Sequence, residues 1–455
     1  MIITIKIFNT LTRKKEEFKP IADKKVKMFV CGPTVYDYSH IGHAKTYVQF
    51  DVIVKYLRCK GFDVFYLQNI TDIDDKIIQR ANEQGIEPKK LAEKFEQDYY
   101  KDMLALGVDS VNKYARATDF IAAIIKQVQT LIDKKFAYEI EDGIYYNLSK
   151  FAEYGKLSCR KILDAEDAVT RIDDSINKKN KGDFCLWKKS KPDEPKWSSP
   201  WFDGGRPGWH IEDTAITESF FGPQYDMHGG SRDLIFPHHE AEIAQMEAAS
   251  GKKPLVRYWL HTGFLNVGGK KMAKSIGNFV TIRDALKDYD AKTLRFFYIS
   301  THYRSPIDFS KESLDKTKNS LERLNEFLRK TKGGKDNYDS KLIEKTKEDF
   351  FKAMDNDFDT PTALAVIFDF VREVNKAGGG RRAYRFLKEV DKIFCILTDE
   401  EVELTDEIEK LVKAREQARK ANDWQTADEI RSKLRGMGIV LEDTDKGIRW
   451  KKIKK

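Results

Sequence analysis

The stretch VKMFVCGPTVYDYSHIGHAKTYVQFDVIVKYLRCKGFDVFYLQNIT, from Val26 to Thr71, decides the fold. Residues 26–31 are a short apolar run that stops at Gly32-Pro33, as a buried strand does at a turn. From about His40 to Lys60 the apolar positions recur at helical spacing, and Gly61 follows where a helix C-cap belongs. Residues 63–71 are a second strand-like run. Asp72 then suits the N-cap of a helix running to Gly85. Strand, helix, strand, helix at this spacing predicts a parallel α/β sheet.

Outward from this core, residues 91–137 are helical by pattern. Residues 138–207 are irregular, with Pro, Gly, Lys and Trp in short runs, and are expected to be an insertion that splits the α/β domain. Strand-like pieces return at 225–229 and 256–267, with a helix from near His238 between them. From Ser310 the character changes: 311–330, 340–355, 361–377 and 381–398 are expected as helices of a bundle. One charged helix (about 405–435) and a strand-like tail around Ile439-Val440-Leu441 follow.

The chain has 455 residues, too many for one ordinary core. Lys and Arg number 81 against 73 Asp and Glu, a net charge of +8. That excess permits a polyanionic partner without demanding one. The five cysteines, Cys31, Cys59, Cys159, Cys185 and Cys395, are scattered and form no C-x-x-C pair, which argues against a disulfide framework and for a reducing compartment. The start of the chain has a charge too early and an apolar run too short for a signal peptide, and no stretch approaches a membrane span. A soluble, cytoplasmic protein with no membrane partner is expected.

Two motifs carry chemistry. His40-Ile41-Gly42-His43 follows the first strand at the start of a helix, with its two imidazoles on one face. A helix N-terminus offers unpaired N–H groups and partial positive charge, and Gly42 leaves room for a flat base. Together these suit an ATP site in which charge develops on the α-phosphate; two surface histidines near a turn is the competing reading. The second motif, Lys271-Met272-Ala273-Lys274-Ser275, is flanked by Gly268-Gly269 and Gly277. Two lysines in a glycine-bounded loop can close over a triphosphate, or form a solvated basic loop. No G-x-G-x-x-G fingerprint accompanies either half, which disfavours a dinucleotide cofactor.

The paired motifs resemble the HIGH and KMSKS-like signatures of class I aminoacyl-tRNA synthetases. Cys31-Gly32-Pro33-Thr34-Val35-Tyr36-Asp37, the segment from Asn69 to Lys76, Arg206-Pro207-Gly208-Trp209-His210-Ile211-Glu212 and Phe236-Pro237-His238-His239-Glu240 look specifically like cysteinyl-tRNA synthetase. So do Ala421 to Trp424 and Met437 to Glu442 in the tail, so the resemblance spans essentially the whole chain. It implies a Rossmann-like catalytic domain split by an insertion, then an all-α bundle and a small anticodon-binding domain. The corresponding boundaries are 1–115 and 208–255 for the two catalytic halves and 116–207 for the insertion. Residues 256–310 would hold the lysine loop, 311–400 the tRNA-binding bundle and 401–455 the anticodon-binding domain.

The resemblance also implies the reaction: ATP-dependent activation of L-cysteine and its transfer to tRNA(Cys), by a monomer, with Mg²⁺ accompanying ATP. His40, His43, Lys271 and Lys274 would be catalytic, with Gly42 at the ATP. Gly32, Thr71, Trp209, His228 and Asp233 would line the cysteine pocket, Asp233 pairing with the substrate ammonium and His228 lying near its carboxylate or the ribose. Family members hold one zinc ion with two Cys, a His and a Glu; the matching positions are Cys31, Asp213, His238 and Glu242. Asp213 departs from the usual Cys, and His239 or water is the alternative fourth ligand. His238 and Glu242 lie four apart on an expected helix, so both reach one point. A zinc site explains selection against serine, which an apolar pocket rejects poorly but a borderline-soft metal rejects well. Two other classes stand beside this one. A cysteine ligase acting on a small amino-sugar acceptor would lack residues 401–455, and an inactive tRNA-binding relative would have lost the motif residues.

Overall fold

A computed structural model describes residues 4–160, 177–272, 276–333, 335–398, 406–437, 439–444 and 447–452. Residues 1–397 form one compact unit and 398–455 another.

At the centre of the first unit, five parallel strands run in the order Val256–Thr262, Tyr225–Ser231, Lys25–Val30, Asp63–Ile70, Lys113–Arg116. Side chains alternate across this sheet, as strand geometry requires. Val26, Met28 and Val30 enter one apolar core with Phe50, Ile53 and Leu57 of the helix Ile41–Cys59. Phe29 and Cys31 enter the other, with Leu67 and Trp259 and with the helices Ile121–Asp133, Ile211–Phe221 and His238–Ser250. With both faces covered, the sheet is of the doubly wound kind. The chain builds outward from Lys25–Val30 in one direction and later returns to add Tyr225–Ser231 on the other side. The order therefore reverses between those two strands, and a crevice opens at their carboxyl ends.

The expected strand–helix–strand core is present with its caps, and Gly61 takes a φ of 86°. Several elements differ. The helix after the second strand starts at Asp75 and is capped by Asp74 rather than Asp72. Asp72 instead accepts from the Thr118 backbone N–H at 3.0 Å. The stretch expected to be helical over 91–137 holds the helix Pro88–Ala105, the edge strand Lys113–Arg116 and the helix Ile121–Asp133. The insertion is ordered around an antiparallel sheet of Ala137–Ile140, Gly143–Tyr146, Phe184–Lys189 and Gly205–Pro207. Strand Val256–Thr262 ends before Gly263, and a separate three-stranded sheet follows, Lys270–Lys271, Leu265–Val267 and Ile307–Phe309. Four helices, Lys311–Thr331, Lys341–Asp355, Thr360–Lys376 and Arg381–Phe394, complete the first unit. Among the described residues no helix is long and apolar enough to cross a membrane.

The second unit has two helices where one was expected, Asp406–Lys420 and Trp424–Gly436, followed by the hairpin Ile439–Thr444 with Gly447–Lys452. Asn422 at a φ of 59° makes the break, and Asp423 caps the second helix by accepting from Thr426 N–H. Val412, Leu434, Ile439 and Leu441 form its small core.

A buried ion pair locks the helix Ile41–Cys59 to the bundle. Arg295 donates to Asp51 and to the carbonyls of Phe394 (2.5 Å), Gly107 (3.0 Å) and Leu106 (3.2 Å). Burial opposes the Asp51 charge, but Arg295 and Lys55 together hold its carboxyl below its ordinary range. Arg295→Met should therefore lower unfolding free energy by about 3–5 kcal/mol, the cost of stranding one partner of a buried pair. Urea titration reads this directly; an unmoved midpoint would mean that Lys55 and Ser110 satisfy Asp51 without Arg295.

Candidate active site and metal centre

The crevice at the strand-order reversal is lined first by Cys31, at the carboxyl end of Lys25–Val30. Its N–H donates to Gly229 O at 3.1 Å, which fixes it beside the returning strand. Four donors meet there: Cys31, Asp213, His238 and Glu242 offer ligand atoms that all lie within 4.8 Å of one another, and all four are buried. Cys31 Sγ stands 3.4 Å from Asp213 Oδ2 and 3.8 Å from Glu242 Oε1. His238 Nε2 is 3.0 Å from Asp213 Oδ2 and 3.2 Å from Glu242 Oε1. Tetrahedral zinc with bonds of 2.0–2.3 Å separates its ligands by about 3.3–3.7 Å, so the spacing fits that ion.

The electrostatics fit as well. Burial, then Glu242 and Asp213, push the Cys31 thiol well up. Burial and Asp213 do the same to the Glu242 carboxyl. Asp213 Oδ1 and Glu242 Oε2 are buried without a hydrogen-bond partner. Acceptors gathered in this way are stable as anions only around a cation.

Cys31, His228, His239 and Glu242 make a second, overlapping group. His239 and His228 bring Nε2 to 3.2 and 3.3 Å from Cys31 Sγ. Their other nitrogens are engaged, His228 Nδ1 with Tyr225 OH at 2.7 Å and His239 Nδ1 with His261 at 2.8 Å. His228 therefore lies deep against the sulfur, stacked on Trp259 at 4.3 Å, and is fully buried.

Around this centre, Gly32 N–H donates to Asn69 Oδ1 at 2.5 Å, and a Cβ on Gly32 would stand 1.7 Å from Asn69 O. Thr71 hydroxyl donates to Glu212, which also accepts from Asn69 Nδ2 at 3.3 Å. Glu212 is 1% exposed, and burial and Asp213 push its carboxyl well up. The sequence reading gave no role to Glu212 or to this bridge, although both partners fall within its quoted motifs. Trp209 is half-buried and stacks on His238 at 4.5 Å. Asp233 is exposed on the turn Arg232–Ile235, and among the described residues no hydrogen bond or ion pair ties it to the cluster.

The histidine motif has a specific geometry. His40 is the N-cap of Ile41–Cys59, and its Nδ1 accepts from Gly42 N–H at 3.1 Å and His43 N–H at 3.2 Å. These N–H groups were expected to be open to phosphate; the His40 side chain covers them instead. An Nδ1 that accepts leaves the proton on Nε2. His43 stacks on His40 at 3.7 Å, and burial, then His40, lower its pKa well below the ordinary value. It is neutral at pH 7, and its buried Nδ1 has no hydrogen-bond partner. A Cβ on Gly42 would come within 2.8 Å of His40 Nδ1 and 3.6 Å of Met272 Cε, so the lysine-loop hairpin lies over the motif. Lys271 is exposed, with Nζ 5.6 Å from the Phe264 ring centre. Lys274 lies outside the described residues.

A doubly wound sheet, paired histidines at its crevice and a lysine hairpin beside them define a class I aminoacyl-tRNA synthetase. Residues 17–319 match the family model described as tRNA synthetases class I (C) catalytic domain. Residues 349–398 match a DALR domain, and 401–450 the cysteinyl-tRNA ligase anticodon binding domain. Cysteine–tRNA ligase of Thermococcus kodakarensis is 48% identical, covering 99% of each chain. That of Thermoplasma acidophilum is 46% identical over 98% of this chain and 100% of its own. In fold, the chain is similar to Mycobacterium tuberculosis methionyl-tRNA synthetase in complex with methionyl-adenylate, with a TM-score of 0.59 and 17% identity over 77% of this chain and 83% of the other. The chain belongs to the cysteinyl-tRNA synthetases.

Gly42→Ala tests the histidine geometry. The added methyl must drive the His40 ring off the helix N-terminus, so cysteine-dependent pyrophosphate exchange should fall roughly ten- to a hundredfold, with bound metal unchanged. An unaltered rate would show that the ring's place over Gly42 is immaterial.

Proposed function

We propose that the chain activates L-cysteine with ATP and passes it to the 3′ end of tRNA(Cys), with Cys31, Asp213, His238 and Glu242 holding a zinc ion that recognises the substrate sulfur. The observation that carries this reading is the buried four-donor group at the sheet's crevice, with two carboxylate oxygens lacking a hydrogen-bond partner. A zinc ion seated there supplies a borderline-soft Lewis acid that favours a thiolate over the neutral hydroxyl of serine. His228 and His239 flank Cys31 Sγ and hold it in place. Trp209, Gly32 and Thr71 wall the amino-acid pocket, with Glu212 fixing Thr71 and Asn69. Asp233, exposed on the turn Arg232–Ile235, is assigned to the substrate ammonium on the resemblance alone.

In the first step a carboxylate oxygen of cysteine attacks the α-phosphorus of ATP in line, and the bond to the departing pyrophosphate breaks. His40 donates from Nε2 and neutral His43 from its ring to the charge building on the phosphoryl oxygens. Lys271 and Lys274, with Mg²⁺, neutralise the β- and γ-phosphates. In the second step the 2′-hydroxyl of the terminal adenosine attacks the adenylate carbonyl, releasing AMP. Rate comes from positioning and electrostatics, not from a covalent enzyme intermediate.

Residues 1–115 and 208–255 are the two catalytic halves, 116–207 the insertion, 256–310 the lysine-loop region, 311–400 a tRNA-binding bundle and 401–455 the anticodon-binding domain. In the last, Trp424 is 57% exposed with the Arg419 guanidinium 5.9 Å from its ring, a face on which an unpaired base can stack. The chain is proposed to act as a monomer. The free thiol required at Cys31 suits the cytoplasm.

The experiment is pyrophosphate exchange with cysteine and with serine, on the parent chain and on two variants of Asp213. The parent should respond to cysteine, not serine, and charge tRNA. Asp213→Ala should lose most of its zinc and exchange, whereas Asp213→Cys should keep both. Near-normal zinc and activity in the alanine variant would remove Asp213 from the ligand set.

A further inference from the structure

Lys45 stands two residues beyond the histidine motif, in the first turns of Ile41–Cys59, and is 1% exposed. Among the described residues no carboxylate pairs with it. Its Nζ instead donates to three backbone carbonyls, Gly263 at 2.5 Å, Ser305 at 3.2 Å and Tyr303 at 3.3 Å. Three donors on an ammonium meet three acceptors, so the group is satisfied without a counter-ion. Burial alone draws its pKa down to about 7. Burying an ammonium with no counter-ion still costs desolvation, a cost that an apolar side chain of similar length would not carry.

The three carbonyls belong to the two segments that carry the lysine hairpin. Gly263 is the joint between the main-sheet strand Val256–Thr262 and Leu265–Val267, which pairs with Lys270–Lys271. Tyr303 to Ser305 leads into Ile307–Phe309, paired on the other side of Leu265–Val267. The two segments touch at this point. Gly263 N–H donates to Tyr303 O at 2.8 Å, and a Cβ on Gly263 would lie 2.4 Å from the Ser305 carbonyl carbon. The neighbouring Thr46 hydroxyl meets Thr262 Oγ1 at 2.9 Å.

The far side of the hairpin is tied to the same helix by backbone. Ile41 N–H donates to Val280 O at 3.1 Å, and Ile282 N–H to Ser39 O at 2.9 Å. Its exit is thus fixed beside His40 by main-chain bonds, and its entrance one turn further along by side chains, with Lys45 alone reaching both segments. We infer that Lys45 is a positioning residue for adenylate formation: it sets where the lysine hairpin leaves the sheet relative to His40 and His43. The inference rests on the activity proposed above. A shift of about 1 Å at this joint would be felt as a loss of rate, not of cysteine binding.

The test compares Lys45→Met, Lys45→Arg and Gly263→Ala with the parent. Each is assayed for zinc, for kcat and KM in pyrophosphate exchange, and for the rate at which trypsin cuts after Lys270 and Lys271 in the ligand-free protein. Lys45→Met should keep its zinc and its KM for cysteine. Its kcat should fall at least tenfold, its KM for pyrophosphate should rise several-fold, and the hairpin should be cut several times faster. Lys45→Arg, which still donates to carbonyls, should recover most of the rate. Gly263→Ala disturbs the joint from the opposite side and should reproduce the pattern, which keeps the test open if Lys45→Met does not fold. A kcat within twofold of the parent with unchanged tryptic cutting would overturn the inference. So would a matching loss of zinc and of cysteine affinity, because that pattern belongs to general collapse of the site. A parent chain without exchange would instead defeat the activity reading, and tryptic cutting would still judge Lys45.

Discussion

Cys31, Glu212, Asp213 and Glu242 are each buried to 5% exposure or less, and burial with the neighbouring Asp213 raises the cost of ionising Cys31, Glu212 and Glu242. Two like charges 4 Å apart repel by about 4 kcal/mol at an effective dielectric near 20. A cluster of this kind holds protons or holds a cation; it does not stay charged and empty. A divalent ion would turn the repulsion into ligation, and the surrounding structure keeps its candidate ligands, Cys31, Asp213, His238 and Glu242, from drifting apart. The sheet end holds Cys31, one helix brings Asp213, and another brings His238 and Glu242 from the same face. Seating this cluster at the strand-order reversal places it beside the helix that begins at His40, so the candidate metal centre and the paired histidines share one crevice.

The helix Ile41–Cys59 connects these functions physically. Its start carries the histidines. Its next turn holds the lysine hairpin through Lys45 and Thr46. Further along, Asp51, itself paired with Lys55, ties it to Arg295, and Arg295 reaches the bundle helix at Phe394. Tyr56 continues the same line, its hydroxyl 2.6 Å from Asp355 Oδ1. One helix with apolar residues against the sheet and polar residues at each joint thus sets the catalytic half, the hairpin and the bundle in register.

The central strand–helix–strand unit was readable from the sequence because its signals are local: an apolar run, a helical period, Gly61 at the C-cap. The pairing of His238 with Glu242 was readable for the same reason. Lys113–Arg116 was missed because a four-residue edge strand of sequence KYAR has no apolar alternation to separate it from the flanking helices. The insertion's sheet was missed because Tyr146 pairs with Phe184 across a long connection, and such pairing leaves no local mark. Asn422-Asp423 did carry a signal, a left-handed residue followed by a helix cap, and the single long helix expected there overrode it. The His40 ring capping its own helix is decided by a side-chain torsion, which residue spacing does not record. Nor does spacing show that His228 and His239 converge on Cys31, since they reach it from a strand and a helix respectively.

X-ray absorption at the zinc edge tests the centre of this picture most directly. The zinc-loaded protein without amino acid should show one sulfur neighbour at about 2.3 Å and three lighter ones at about 2.0–2.2 Å, as Cys31 with Asp213, His238 and Glu242 requires. Adding L-cysteine should raise the sulfur count to two, and adding L-serine should leave it at one. Two sulfurs before any amino acid is added, or a count that L-cysteine does not change, would contradict it.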